Sequence, residues 1–278
     1  MRKLFGLLGL IVLAAPALAL GADSKEATKI VVIAGKPSHG KGEHEHNAGC
    51  KLLVKWLDEV PGVEPVFVAG GWPEDEKVFE GAQSVVFFAD GGGGHPMIQG
   101  HRLETMKKLM DKGVGLVCLH YAVEFPKGKA GDTLLDWLGG YYEGGYSDNP
   151  HNDARLVPKE GHPVTRGVKP FGANDEWYYK IRFRPEDARV TPILVAQELR
   201  GHDGKTYTDQ TVAWATEREG HGRAFGFTGA HMHKNWGNPD FRKLVLNAIL
   251  WTAHLDVPES GVKADVSEDD LTKNLDPK

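Results

Sequence analysis

Four apolar runs of this chain are each followed by a histidine: His39, His95, His120 and His231. Imidazole nitrogen binds zinc, nickel, copper and iron, and it also serves as a general acid or base near neutral pH. In an open parallel α/β sheet the carboxyl ends of the strands meet at one edge, where ligands bind. The pattern therefore predicts that these histidines lie around one pocket.

The segment after the first apolar run is rich in metal-ligand residue types. Residues 36–46 read KPSHGKGEHEH, so that three histidines stand among two glutamates. Such a set suits a divalent ion, with zinc as the first choice and manganese or nickel as alternatives. A solvated loop in which this alternation is incidental is the other interpretation. His39 is the preferred ligand because it lies nearest the strand end, and His44 and His46 are further candidates.

His120 directly follows an apolar run, which places it at a strand-to-helix turn. Hydrolase-like folds hold their nucleophile at such a turn, but an imidazole there indicates a metal ligand or a general base. In extended chain, His231 and His233 point to the same side. We therefore predict His39, His120 and His231 as metal ligands, with His44, His46, His151 and His233 as less specific candidates.

Carboxylates stand beside aromatic residues at Asp175, Glu176 and Trp177. Desolvation next to apolar rings raises a carboxyl pKa, an arrangement used for acid and base chemistry on sugars. Asp175 and Glu176 are thus catalytic candidates together with His120, although a surface turn is an equally good interpretation. Side chains predicted to contact substrate are His95, Tyr142, Trp177 and Trp236.

Four glycines, Gly91 to Gly94, precede His95. Glycine allows a ligand to approach the backbone closely, and the amide groups could form an anion-binding nest. A flexible connector explains the run equally well. Because the P-loop lysine and hydroxyl are missing, no nucleotide cofactor is expected.

Apolar runs and amphipathic stretches alternate through the first half of the chain, the pattern of a parallel sheet with crossover helices. The fold class is therefore predicted to be α/β, with a mostly parallel sheet and helices on both faces. Glycines and tyrosines at 139–146 indicate a loop, and no strand is predicted between it and residue 189. Strands are predicted at 29–35, 63–69, 84–89, 114–119, 189–199, 211–216 and 223–228, and helices at 48–60, 99–112, 132–138 and 239–255.

Residues 1–22 have the layout of a secretory signal peptide, with a basic start, an apolar run and a small-residue end. Export to the periplasm or medium is expected, whereas an uncleaved membrane anchor is the alternative. Residues 23–257 are predicted to form one domain. The polar segment 258–278 is predicted to be a disordered tail.

The charge of the chain bears on its partners. Removing Arg2 and Lys3 changes the formal charge from −5 to −7, and no basic cluster suits a phosphate backbone, so nucleic acid is not an expected partner. No membrane association is expected after signal cleavage. The two cysteines, Cys50 and Cys118, are not closely spaced, and their pairing stays open. Oligomeric state also stays open.

Eight short segments carry a family resemblance: Ser38 to Gly40, Glu43 to His46, Gly115 to His120, Leu138 to Gly140, His162 to Thr165, Asp175 to Tyr178, Gly229 to His231 and Ile249 to Trp251. As a set, they resemble the ThuA-like family of trehalose-utilisation proteins, in the class I glutamine amidotransferase-like superfamily. The resemblance covers most of residues 29–255. It implies a flavodoxin-like sheet and a link to the metabolism of sugars and keto-sugars.

The resemblance does not imply glutamine hydrolysis. Amidotransferases of the superfamily hold a cysteine at the strand-to-helix turn, where this chain has His120, and Cys118 lies two residues earlier inside the strand. Our hypothesis is an exported metal-dependent enzyme that hydrolyses, eliminates or isomerises a small sugar or keto-sugar. The alternative is a sugar-binding or accessory module without turnover, in which aromatic side chains recognise the ligand.

Overall fold

The computed structural model of the chain describes residues 27–220 and 222–277; the predicted signal peptide lies outside them. Within these residues, no helix is both long enough and apolar enough to cross a membrane. The helices and strands are β1 (Thr28–Ala34), α1 (His46–Asp58), β2 (Val63–Val68), β3 (Ala82–Phe88), α2 (Arg102–Asp111), β4 (Gly115–Leu119), α3 (Lys129–Trp137), β5 (Gly140–Tyr141), β6 (His151–Pro158), β7 (Phe171–Glu176), β8 (Arg182–Phe183), β9 (Val190–Arg200), β10 (Thr206–Glu217), β11 (Arg223–Phe227), α4 (Pro239–Thr252) and α5 (Glu268–Thr272).

One nine-stranded sheet, in the order β2-β1-β3-β4-β11-β10-β9-β6-β7, forms the centre of the described residues. Its first five strands are parallel, and the remaining pairs are antiparallel. The α/β prediction is confirmed. Strands β6 and β7 were missed because they carry many polar residues and lie at the sheet margin, so that no continuous apolar run marks them.

Helices cover both faces of the sheet. Helices α1 and α4 pack on one face, with Trp56 and Phe241 fully buried, and α2 and α3 pack on the other, with Met106 and Leu134 fully buried. The two cysteines are free and buried. They belong to the cores on opposite faces, so the sheet separates their thiols.

The C-terminal segment is ordered, and the prediction of a disordered tail is wrong for the described part of it. The indole nitrogen of Trp56 donates to the carbonyl of Asp265 at 2.7 Å, and Lys55 forms an ion pair with Asp270 at 2.8 Å. Helix α5 begins with a reciprocal capping box of Ser267 and Asp270. Disorder was predicted because the segment has few apolar residues. That criterion does not detect stabilisation by polar contacts of this kind.

Candidate metal centre

Three histidines and one glutamate converge at the carboxyl edge of the sheet. His44 lies in the loop after β1, His120 follows β4, His231 follows β11, and Glu176 ends β7. All three imidazoles are at least 96% buried, since their exposed fractions are 1%, 0% and 4%. Each of the four side chains offers one ligand atom, and these atoms all lie within 4.8 Å of one another.

The spacing of these atoms suits a four-coordinate ion. His44 Nε2 lies 2.9 Å from His231 Nδ1 and 3.0 Å from His120 Nε2, and the last two atoms are 3.2 Å apart. Glu176 Oε2 lies 3.4 Å from His120 Nε2 and 3.2 Å from His231 Nδ1. A tetrahedron with zinc-like bonds of about 2.0 Å has edges of about 3.3 Å. Five of the six distances among the four atoms are therefore within about 0.4 Å of this value, and the sixth, between His44 and Glu176, is at most 4.8 Å.

Hydrogen bonds on the outer ring nitrogens fix two of the tautomers. His120 Nδ1 lies 2.8 Å from the carbonyl oxygen of Thr228, which can only accept, so this nitrogen carries a proton. His44 Nδ1 lies 2.9 Å from Asp90 Oδ1. Hydrogen bonds from His44 and Ser38 outweigh burial and lower the pKa of Asp90 to about 2, so it also accepts. Carboxylate and carbonyl partners of this kind orient histidines in metal sites.

These tautomers leave two lone pairs facing each other in a buried place. Burial lowers the pKa of His44 to about 3, so its ring is neutral near pH 7, and its Nε2 then carries a lone pair. His120 Nε2 lies only 3.0 Å away and likewise has a lone pair when the ring holds its one proton on Nδ1. Two buried acceptors at hydrogen-bond distance without a proton between them repel one another. A cation between them removes that repulsion, so the donor set fits a metal ion.

Glu176 supplies the negative charge of the cluster. Burial alone would raise the pKa of Glu176, but its contacts with the His120 and His231 rings outweigh burial and lower the pKa below its ordinary value. Its other oxygen, Oε1, accepts a hydrogen bond of 2.8 Å from the side-chain amide of Asn149. Glu176 is thus an ionised ligand candidate, and the hydrogen bond from Asn149 fixes the orientation of its carboxylate.

Left-handed backbone conformations place two of the histidines. His44 and His120 have φ values of 44° and 53°, and Ala230, which precedes His231, has a φ of 97°. Such values strain residues other than glycine and persist only where the surroundings hold them. These tight turns bring His44 and His120 to the cluster, whereas His39, with a φ of 60°, has an exposed ring.

Asp175 lies behind the cluster, which corrects its prediction as a catalytic residue. Its side chain is fully buried. One oxygen accepts from Ala230 N at 2.8 Å and from Asn235 Nδ2 at 2.9 Å, and the other accepts from Met232 N at 3.1 Å. Asp175 is therefore a positioning residue that holds the loop carrying His231.

Tyrosines and a second carboxylate border the cluster. The Tyr178 ring packs 4.8 Å from the His120 ring, and Tyr142 packs 4.8 Å from Tyr178. Glu124 is partly buried in the same region, and burial, followed by the charge of Glu176, raises its pKa to about 7. Glu124 and Asp90 were not predicted as site residues. The sequence signal for Glu124 is its place four residues after His120, in the turn after the same strand.

Three predicted substrate contacts are core residues instead. His95, Trp177 and Trp236 are each fully buried. The His95 ring packs against Phe125 and its Nε2 lies 3.2 Å from the carbonyl of Ala122. These side chains have no surface through which a substrate could touch them, so their interpretation as binding residues is wrong. Tyr142 remains beside the cluster.

The other predicted metal ligands lie outside the central four. His39 is exposed and stacks on His44 with ring centroids 3.6 Å apart, and the exposed His151 contacts His231 edge-on at 4.9 Å. His46 is buried, with Nδ1 3.0 Å from the Lys36 carbonyl, and His233 is buried in the turn that packs against α5. His39, the preferred sequence candidate, is therefore replaced by His44 in the central set, because the His44 ring is buried within 3.0 Å of His120 and His231.

Comparison with known proteins identifies the family. The family model described as trehalose utilisation, ThuA, matches residues 41–252. The chain therefore belongs to the ThuA family, and the resemblance stated from the sequence is confirmed. A search of the curated proteins gave no match.

Solved structures of ThuA-like proteins share the fold. One from Bacteroides uniformis has a TM-score of 0.63 at 17% identity, covering 87% of this chain and 98% of its own. Another, from Parabacteroides merdae, has a TM-score of 0.57 at 17% identity and covers 87% and 94%. At this identity, the similarity supports the architecture and carries no residue roles.

Proposed function

We propose that this protein is a metal-dependent enzyme of carbohydrate metabolism that moves a proton on a small sugar or keto-sugar. The observation that carries the proposal is the set of four ligand atoms of His44, His120, His231 and Glu176. The Nδ1 atoms of His44 and His120, which face away from the cluster, are hydrogen-bonded to Asp90 and to the Thr228 carbonyl. Zinc fits this donor set, and manganese or nickel are alternatives. The sugar class rests on membership of the trehalose-utilisation family.

A bound divalent ion would polarise a carbonyl or hydroxyl oxygen of the sugar. The protein's own residues then supply positioning and proton transfer. Glu124, with a pKa raised to about 7, can both accept and donate a proton near neutral pH. The Tyr142 and Tyr178 rings pack beside the His120 ring and help to fix its orientation. Hydrolysis, elimination and isomerisation all need this combination of polarised oxygen and proton transfer.

The alternative of a binding module without turnover loses its main support. It relied on aromatic side chains to recognise the ligand, and two of them, Trp177 and Trp236, are fully buried. We retain export to the periplasm or medium as part of the proposal, on the pattern of residues 1–22. Sequencing the amino terminus of the purified protein tests it: cleavage near residues 20–23 supports export, and an intact Met1 contradicts it.

Metal analysis of the purified protein tests the central claim. We expect close to one equivalent of a divalent ion in the parent and its loss in folded His44→Ala and His120→Ala variants. His101→Ala removes an exposed imidazole at the start of α2 and is expected to keep the metal. A parent that takes up no zinc, manganese or nickel would rule out the proposed chemistry.

A second measurement addresses proton transfer. Parent protein is incubated with a panel of keto-sugars in heavy water, and deuterium entering the carbon next to the carbonyl is followed by NMR. Glu124→Gln is expected to keep the metal and lose exchange. Undiminished exchange in this variant would exclude Glu124 as the proton carrier.

A further inference from the structure

A second cavity adjoins the candidate metal centre at the same edge of the sheet. We name it the strand-end cavity; it has a volume of about 440 Å³ and lies where β1, β2 and β3 end. This volume is in the range of small-ligand sites. Asp90 lines it and lies 2.9 Å from His44, so the cavity and the metal centre share a wall. The lining residues used below are Lys36, Gly70, Asp90, Gly94 and Arg102.

The place of the cavity in the fold is where α/β proteins bind ligands. Strand β1 lies between β2 and β3 in the sheet, so successive connections leave it toward opposite sides. Helix α1 then packs on one face of the sheet and α2 on the other. Crevices at such switch points, outside the carboxyl ends of the strands, are the usual ligand sites of these folds.

Two basic side chains, Arg102 and Lys36, line the cavity. Arg102 donates one hydrogen bond, of 3.0 Å, to the carbonyl of Pro96, and its guanidinium lies 5.1 Å from the centre of the Trp72 ring. Neither Arg102 nor Lys36 forms an ion pair with any residue that the structure describes. The one carboxylate of the lining, Asp90, already accepts from His44 and Ser38.

An arginine held against an aromatic ring, whose remaining N–H groups bond to no described residue, is well suited to a planar or tetrahedral anion. Glycines keep the approach open: Gly70 has a φ of 77°, and a Cβ atom added at Gly94 would meet nothing within 4 Å. Lys36 adds a second positive charge at the rim. The cavity is therefore complementary in charge and shape to one acidic group carried by a small molecule.

We propose that the strand-end cavity binds the carboxylate or phosphate group of an anionic sugar whose reacting carbon lies at the metal centre. This inference rests on the proposed function for the sugar, and on Arg102 and Lys36 for the acidic group. Neutral sugars would lack the charged contact and bind more weakly. Arg102 acts in binding and selectivity, not in proton transfer.

Calorimetric titration of the full chain at fixed ionic strength tests the proposal, with glucuronate, glucose 6-phosphate, neutral glucose and inorganic phosphate as probes. We expect at least one of the two anionic sugars to bind about tenfold or more tightly than glucose, and the tighter of them names the acidic group. Equal binding of glucose would overturn the proposal. Inorganic phosphate binding as tightly as the sugar phosphate would also overturn it, because the site would then recognise an ion only.

Variants connect the preference to the cavity. Arg102→Gln is expected to remove the advantage of the anionic sugar, whereas Arg155→Gln, the same charge change at an exposed position of β6, should keep it. If Arg102→Gln fails to fold, Gly94→Leu fills the cavity from a position with open space and should weaken binding in the same way. Full anion preference in folded cavity variants contradicts the inference.

The two proposals fail separately. Metal content is measured on the same preparations, and none of the cavity variants changes a candidate ligand. A metal-loaded protein without anion preference would refute the subsite alone. A protein that takes up no metal but keeps an Arg102-dependent anion preference would refute the metal enzyme and leave the subsite standing.

Discussion

Replacing Asp175 by alanine tests how the His231 loop is held. The substitution removes the acceptor of three longer-range hydrogen bonds, from Ala230 N, Met232 N and Asn235 Nδ2. Leaving a buried donor unsatisfied costs about 1–3 kcal/mol, so the two buried donors, Ala230 N and Asn235 Nδ2, give a loss of at least about 2 kcal/mol, to which the partly buried Met232 N adds less. Against a total stability of about 5–15 kcal/mol, the variant is expected to fold but to be greatly weakened.

Urea unfolding measures this loss, and a chelator competition at low temperature measures metal affinity in the remaining folded protein. Both are expected to fall, because the loop that presents His231 loses its anchor. Asp175→Asn keeps one acceptor oxygen and should lie between the parent and Asp175→Ala. Asp153→Ala removes an exposed carboxylate nearby and should change stability by less than about 0.5 kcal/mol. A loss below about 1 kcal/mol for Asp175→Ala, with unchanged metal affinity, would refute the positioning role.

Three further predictions concern other parts of the molecule. Asp90→Asn is expected to weaken metal binding about 10- to 100-fold, because the charged partner of His44 is lost; equal affinity in a chelator competition would contradict this. A chain ending at residue 257 is expected to melt at a lower temperature, since the Trp56 indole loses its acceptor and Lys55 its ion-pair partner; an unchanged melting temperature would show that the segment contributes nothing. Burial lowers the pKa of His95 to about 3, so the unfolded chain binds a proton below pH 6.5 that the folded chain does not. Unfolding free energy should therefore fall by about 1.4 kcal/mol between pH 7.5 and 5.5 through this residue, and His95→Gln should remove that share of the pH dependence in urea titrations; an identical slope in the variant would count against it.

The parallel half of the sheet could be predicted because its signals are local. The nearly continuous apolar runs that became β3 and β4 can be satisfied only by central strands covered on both faces. Strands β6 and β7 could not be predicted in this way, since each has polar residues and borders the margin of the sheet. Their pairing depends on neighbours distant in sequence.

The sequence by itself determined the fold class, the family and the gathering of histidines at one edge of the sheet. These depend on apolar patterns and strand ends, which are defined by a few consecutive residues. Only the tertiary structure decided which imidazoles meet. His44 enters the cluster because its ring is buried against His120 and His231, which follow other strands, whereas the His39 ring stacks on the outside of His44. His95 and Trp236 lie in the segments that follow β3 and β11, yet both side chains are fully buried. A residue's type and spacing state what it could bind, whereas its burial and partners, fixed by distant segments, decide whether it can.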